Sequence, residues 1–187
     1  MYTELPDQET LALLLDYNPD TGILTWKERP ASMFTDGYMS AQGRANNWNS
    51  KLAGTEAIGY IHTTGYKYGK LEGKTVKAHR VAWKLYHGKD PVNDIDHING
   101  DRADNRICNL RDATDQVNRM NTKRYKNNKS GVIGIHWHNQ NNKWRARITV
   151  KGKIIELGCF EDIENAKKAR AEAEIKYGFH PNHGRDQ

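Results

Sequence analysis

Asp96 and His97 stand side by side in "VNDIDHINGDRADNRICNLRDATDQVN", with Asn109 twelve residues after the histidine and Asn118 nine residues further on. A carboxylate is a hard oxygen donor for a divalent cation, and a neutral imidazole, with an ordinary pKa of roughly 6.5, is a base suited to neutral pH. Hydrolysis of a phosphodiester asks for little more than an activated water and a divalent ion to neutralise the charge that develops on the phosphate and leaving oxygen. Adjacent residues of a strand point to opposite faces, so both serve one site only where the strand twists or ends. Asn109 suits side-chain to backbone hydrogen bonds that hold the loop and orient His97. Asn118, about one turn into a helix, offers a carbonyl oxygen to the same cation. The competing reading is a polar surface loop without chemistry, and an Asp-His pair alone does not separate the two.

The elements around these residues are short. "NDIDHI" and "RICNL" have strand character and flank the polar loop "NGDRADN", and "RDATDQVNRMN" begins a helix with Asp112 or Thr114 as its N-cap, so the order is strand, loop, strand, helix. Upstream, Leu11, Leu14 and Leu15 recur at helical spacing after Pro6, "NPDTG" is turn chemistry and "ILTW" a strand. Residues 28–56 are rich in Gly, Asn, Ser and Ala without periodicity and read as irregular. The alternation from Ile58 to Ala78 predicts two or three antiparallel strands. "HRVAWKLYHG" predicts a helix with Val81, Ala82 and Leu85 on one face and Gly88 as its stop.

Downstream, "NTKRYKNNKS" reads as a basic linker able to lie along phosphates. Three strand-like runs follow, "GVIGIHWHN", "KWRARITV" and "KIIELGCF", and then a helix on which Ile163, Ala166, Ala169, Ala173 and Tyr177 form a face of mostly small residues. Alternation from Trp144 turns Trp144, Ala146 and Ile148 toward that helix and leaves Arg145, Arg147 and Thr149 outward. Residues 179–187, with His180 and His183, read as a frayed tail rather than a metal site.

At 187 residues, with 36% hydrophobic content and five Trp, the chain suits one moderate domain or two small ones with packed cores. No run of 18 apolar residues exists, and "MYTELPDQET" lacks the basic and apolar regions of a signal peptide, so a soluble, intracellular protein with no membrane partner is expected. Cys108 and Cys159 are the only cysteines, too few for a thiolate zinc site; they read as reduced core thiols, with no structural zinc expected. The net charge is +6, and it is unevenly placed. Residues 1–60 hold eight acidic and four basic side chains, whereas residues 116–155 hold ten Lys or Arg and no acid, the electrostatic footprint of a polyanion binder.

The Asp-His pair taken together with Asn109, Asn118 and the strand, loop, strand, helix order resembles the ββα-metal motif of HNH nucleases. "HRVAW", "DHINGD", "DNRI", "NLR" and the later Asn are most similar to phage homing endonucleases. The resemblance runs from about Gly54 to Asn121, with a looser match in "YNPDTGILTWK". It implies that Asp96 is a metal ligand, His97 the general base, Asn109 the middle Asn of the motif and Asn118 a second metal ligand, with one divalent ion, Mg²⁺ or Mn²⁺, per site. It also implies double-stranded DNA as substrate and the cytoplasm of an infected bacterial host as the place of action. His79 and Arg80 match the family's "HR" before the motif; His79 is read as structural, outside the active site. Arg102, Arg106 and Arg111 are read either as phosphate contacts or as groups that solvate the loop.

Residues from Ser130 to about Tyr177, through "SGVIGIHWH", "KWRARI", "LGCF" and "ENAKKAR", resemble the ethylene-response-factor type of DNA-binding domain, which also occurs fused to phage HNH nucleases. That family lays its three-stranded sheet in the major groove. The DNA-contact candidates are accordingly His136, His138, Arg145, Arg147 and Thr149, with Lys123, Arg124 and Lys126 of the basic linker. Ile133, Ile154 and Glu156 stand where plant members carry Arg or Trp, so their target preference does not carry over. Trp137 and Trp144 read as core residues.

The expected fold class is α+β: a ββα-metal HNH domain followed by a small three-stranded antiparallel sheet packed on one helix. The expected domains are 1–53 (helix, strand and irregular segment), 54–121 (nuclease), 122–129 (linker), 130–178 (DNA-binding) and 179–187 (tail). The expected activity is metal-dependent hydrolysis of duplex DNA by a site-specific homing endonuclease. One motif has one base and one metal, so each protomer should nick one strand. A DNA-binding regulator without cleavage and a structure-selective phage nuclease are the rival readings, and monomer and dimer both stay open.

Overall fold

The computed structural model describes residues 4–125 and 127–185, which form two compact units, one ending at Asp112 and the other beginning at Ala113. In the first unit, α1 (Gln8–Leu14) is capped by Asp7, whose carboxylate accepts from the Thr10 backbone N–H at 2.7 Å. The helix stops one residue short of the third leucine, and Leu15 opens β1 (Leu15–Asn18), which pairs antiparallel with β2 (Ile23–Trp26). Asn18 folds the intervening turn by accepting from the Asp20 and Thr21 N–H groups.

Residues 28–56 are not irregular throughout. Ser40 caps a twelve-residue helix, α2 (Ala41–Leu52), and Asn49 on it both accepts from the Arg29 N–H and donates to the Arg29 carbonyl. Its sequence, "AQGRANNWNSKL", buries only Ala45, so there was no apolar stripe to reveal it. β3 (Glu56–Ala57) then joins the edge of β2.

A meander of β4 (Tyr60–Ile61), β5 (Lys67–Leu71) and β6 (Lys74–Lys77) leads into α3 (Ala78–His87). Gly88 ends α3 with φ +75°, its N–H closing on the Lys84 carbonyl. β7 (Asp94–His97) and β8 (Leu110–Ala113) form a two-stranded sheet around the polar loop. Strand β8 begins later than "RICNL" predicts, because Ile107–Asn109 turn as a 3-10 helix.

Leu11, Leu14, Leu15, Leu24, Ile58, Leu71, Val76 and Val81 share one core, so the first fifty residues and the segment around α3 fold together, across the border expected at residue 53. Each such fully buried side chain contributes roughly 1.5–3 kcal/mol.

In the second unit, α4 (Asp115–Arg119) precedes the sheet of β9 (Ile135–His138), β10 (Lys143–Val150) and β11 (Lys153–Phe160), ordered β11-β10-β9. Helix α5 (Ile163–Lys176), capped by Asp162, packs on it. Ile135, Ala146 and Ala166 form the core, with Trp144 packed against it. Alternation along β10 is as read: Ala146 and Ile148 are buried while Arg147 and Thr149 are exposed.

Several expectations are corrected in this unit and at the cysteines. Residues 179–185 are not frayed: the Arg124 N–H bonds the Arg185 carbonyl, the Gly184 N–H bonds the Thr122 carbonyl, and His183 packs on Phe179. The same bonds tie down the segment read as a linker. Asp112 does not cap α4; its carboxylate accepts from the Val92 and Asn93 N–H groups. Trp137, on the edge strand β9, is 43% exposed, and Cys108 and Cys159 are free but exposed rather than core. Among the described residues, no helix is long and apolar enough to cross a membrane.

Candidate active site

His97 is the last residue of β7, where the strand gives way to the loop, and its side chain is 3% exposed. Its Nε2 lies 3.1 Å from the Asn105 Oδ1. An amide oxygen only accepts, so with the amide placed this way the neutral ring carries its proton on Nε2 and Nδ1 is the basic nitrogen. Asn105 is itself anchored, its carbonyl accepting from the Tyr17 hydroxyl at 2.7 Å. The β1–β2 turn backs the same loop. The Ile107 N–H bonds the Pro19 carbonyl, and Gly22, at φ +73°, passes so close to the Asn105 and Arg106 backbone that a Cβ there would collide. The "YNPDTGILTWK" stretch is therefore a support for the loop.

Two further rings enclose His97. Tyr66, just before β5, has its ring centre 5.7 Å away, and His79, in the first turn of α3, lies edge-on at 5.2 Å. His79 is 5% exposed, and its Nδ1 is buried without a hydrogen-bond partner. Burial holds both imidazoles below their ordinary pKa, His79 far below; charge on His97 adds to the effect at His79, whereas the Asn105 hydrogen bond and Asp96 oppose it at His97. Both are neutral at pH 7.

Asp96, on the same strand, sends Oδ2 to Arg111 of β8, accepting from Nε at 3.0 Å and Nη2 at 2.7 Å. Asn109 closes the loop between them. Its amide donates to the Asp104 carbonyl at 2.8 Å and accepts from the Asn99 N–H at 2.9 Å, and its own carbonyl takes the Ile98 N–H. Asn109 thus acts on the loop, while Asn105 is the residue that meets the His97 ring. Arg106 pairs with Asp104, and Arg102 donates to the Thr64 carbonyl with its guanidinium 4.8 Å from the centre of Tyr66.

Asn118 lies on α4, in the second unit, and its Oδ1 is buried without a hydrogen-bond partner. HNH nucleases generally use a divalent metal ion. An amide oxygen and a carboxylate are each donors suited to a hard divalent cation. Among the described residues no three His, Cys, Asp or Glu side chains gather into a metal-binding group.

In the second unit, His136 and Arg145 are cross-strand partners, as are His138 and Lys143. Burial and the neighbouring Arg147 and Arg145 lower the His136 pKa. Arg145 is held by both oxygens of Glu156, at 2.8 and 2.6 Å. Arg147 and Thr149 line a cleft of about 730 Å³ together with Arg119, Lys151 and Arg170, against one carboxylate, Asp115. Lys123 is exposed, Arg124 donates to the Gly131 carbonyl, and Lys126 lies outside the described residues.

Sequence reasoning missed Asn105, Tyr17, Tyr66 and Arg111 as neighbours of the pair, and set His79 apart from it. The "HR" dipeptide was the one available signal for His79; the others are ordinary residue types that only burial and pairing distinguish.

Residues 76–120 match the family model described as HNH endonuclease, a span that holds α3, the β7–loop–β8 segment and α4. Over 81 residues, 43% of this chain, the sequence is 35% identical to Protein 3.8 of Escherichia phage T7, covering 67% of that protein. Over 106 residues, 54% of this chain, it is 33% identical to an uncharacterised HNH endonuclease, L247, of Acanthamoeba polyphaga mimivirus, of which it spans 27%. No solved structure matches. With an HNH endonuclease domain at residues 76–120 and two thirds of a phage protein matched beside a viral HNH endonuclease, the chain belongs to the HNH endonuclease family of phages and viruses.

Proposed function

We propose that this protein is a metal-dependent endonuclease that hydrolyses phosphodiester bonds of double-stranded DNA, with His97 as general base. The observation that carries the reading is the enclosure of a neutral His97 by Asn105, Tyr66 and His79 next to the carboxylate of Asp96. Burial keeps its imidazole unprotonated where a base must be, and the Asn105 hydrogen bond fixes which nitrogen takes the proton from water. Asp96 would hold the divalent ion, Mg²⁺ or Mn²⁺, through its carboxylate, and Asn118 is the second ligand that the HNH resemblance implies. When bound, that ion neutralises charge developing on the phosphate and leaving oxygen. Asn109 keeps the loop from Ile98 to Asn109 at fixed length and so holds His97 and Asp96 in place.

The second unit supports the binding half of the activity. Its three-stranded sheet on one helix is in keeping with an ethylene-response-factor-like module, and its basic cleft suits a phosphate backbone. His136, His138, Arg145, Arg147 and Thr149, with Lys123, Arg124 and Lys126, are the proposed DNA contacts. One base serves one strand per encounter, so a protomer acts as a nicking enzyme, working on a defined site as a homing endonuclease in the cytoplasm of an infected host.

The test is to incubate wild type and His97→Ala, shown to melt alike, with supercoiled DNA and Mg²⁺ or Mn²⁺. Nicked circles that appear only with metal and fall at least ~100-fold in the variant are expected, the usual worth of a general base. Tight duplex binding without any cleavage would instead favour the regulator reading. Neutralising about six phosphates should also make log affinity fall with log salt at a slope near −5.

A further inference from the structure

Asp96 is already neutralised by a cation of the chain itself. Arg111 reaches it from the neighbouring strand and places Nε and Nη2 on the single oxygen Oδ2, at 3.0 and 2.7 Å. Both side chains are largely withdrawn from water, 15% exposed for Asp96 and 29% for Arg111, so the pair is weakly screened. The geometry differs from that of Arg106 on Asp104 and Arg145 on Glu156, where each guanidinium engages both carboxylate oxygens. Arg111 instead places both donors on one oxygen.

We infer that Arg111 is a positioning residue that stands in for the metal on Asp96 and makes metal loading depend on DNA. This rests on the reading of Asp96 as a metal ligand. A guanidinium in contact with the carboxylate repels an incoming divalent cation and offsets the negative charge that would attract it. A DNA phosphate reverses the balance, because a guanidinium pairs at least as well with phosphate as with a carboxylate, in the same planar geometry. Once Arg111 turns to phosphate, Asp96 regains its full charge toward the cation. The free protein then binds metal weakly and the DNA-bound protein binds it tightly. By thermodynamic linkage, metal strengthens DNA binding by the same factor. Such a device keeps the hydrolytic site unarmed away from substrate.

The test is Mn²⁺ affinity, measured on the full chain by loss of the free-ion paramagnetic resonance signal, with and without a short duplex. Wild type, Arg111→Gln, Arg111→Lys and Asp96→Asn are compared, in a His97→Ala background where DNA is present. Arg111→Gln keeps a hydrogen-bond donor for Asp96 and removes the charge. It should bind Mn²⁺ more tightly than wild type without DNA, by roughly 5- to 150-fold, the ordinary range of coupling between sites, and lose most of the gain that DNA brings. Arg111→Lys, which keeps the charge, should stay near wild type. Equal or weaker Mn²⁺ binding by a folded Arg111→Gln overturns the inference while leaving Asp96 as ligand. Unchanged binding by Asp96→Asn removes the ligand assignment and the inference with it.

Discussion

The most buried polar groups around His97 are neutral, whereas the most buried polar group of the second unit's sheet and helix is a full positive charge. His79, Asn105 and Asn109 are all buried and uncharged. Arg170 of α5 is 2% exposed and places its guanidinium on Glu174 at 2.8 Å, on the Arg147 carbonyl and beside His183. A neutral network suits a base that must remain unprotonated, since each added charge would move its pKa. A buried guanidinium costs desolvation and is tolerated only while every donor has an acceptor. It leaves the basic cleft of that unit with a positive wall that does not depend on pH. One region is built to hold a proton balance, the other to hold a charge.

The sharpest way to break this contrast is Arg170→Met. It removes one partner of a buried pair, so the second unit should lose about 3–5 kcal/mol in urea unfolding while the signal of the first unit keeps its midpoint. Equal loss in both would show that the charge is not confined to the second unit's stability. Asn105→Ala is the counterpart in the neutral network. Leaving the His97 ring without its partner should cost about 1–3 kcal/mol and lower DNA nicking at least ~10-fold, with duplex affinity unchanged. A variant that nicks normally would remove Asn105 from the orientation of His97.

The pH dependence of stability follows from the same contrast. His79 and His97 are held below the ordinary imidazole pKa in the folded state, and the unfolded chain titrates near roughly 6.5, so on acidification the unfolded state binds protons that the folded state refuses. Their contribution is complete above about pH 7 and is lost as pH falls below roughly 6.5 toward the folded values, by up to ~1.4 kcal/mol per pH unit for each histidine. The second unit should lose less, because burial lowers the His183 pKa against the opposing charge of Glu174 and His136 is less buried than His79 or His97. Urea midpoints from pH 7.5 to 5, read separately for the two units, check the ordering. The smallest effect is expected of Glu156→Gln, which frees Arg145 from its clamp. Duplex affinity should rise less than ~10-fold and the salt slope steepen by about one, whereas no change would take Arg145 off the DNA-contact surface.

Much of the framework was legible in local sequence pattern. Periodicity marked α3 with its Gly88 stop, and strict alternation marked which side chains of β10 face the helix, because both signals depend only on residues a few positions apart. Helix α2 escaped because a polar helix with one buried alanine carries no such signal; its cap, Ser40, is a common residue type. The packed tail escaped because its partners, Asn121, Thr122 and Arg124, lie some sixty residues away.

The site divides in the same manner. By itself the sequence determined that an acid, a base and two amides recur at nuclease spacing in a chain with an acid-poor, basic second half. Only the tertiary structure decided that Asn105 rather than Asn109 meets the His97 ring, that His79 and Tyr66 enclose it, and that Arg111 occupies Asp96. Residue type and spacing travel with the chain. Burial, and with it the proton affinity of an imidazole or the pairing of a carboxylate, belongs to groups that meet only after four separate segments, around residues 17, 66, 79 and 97–111, have packed together.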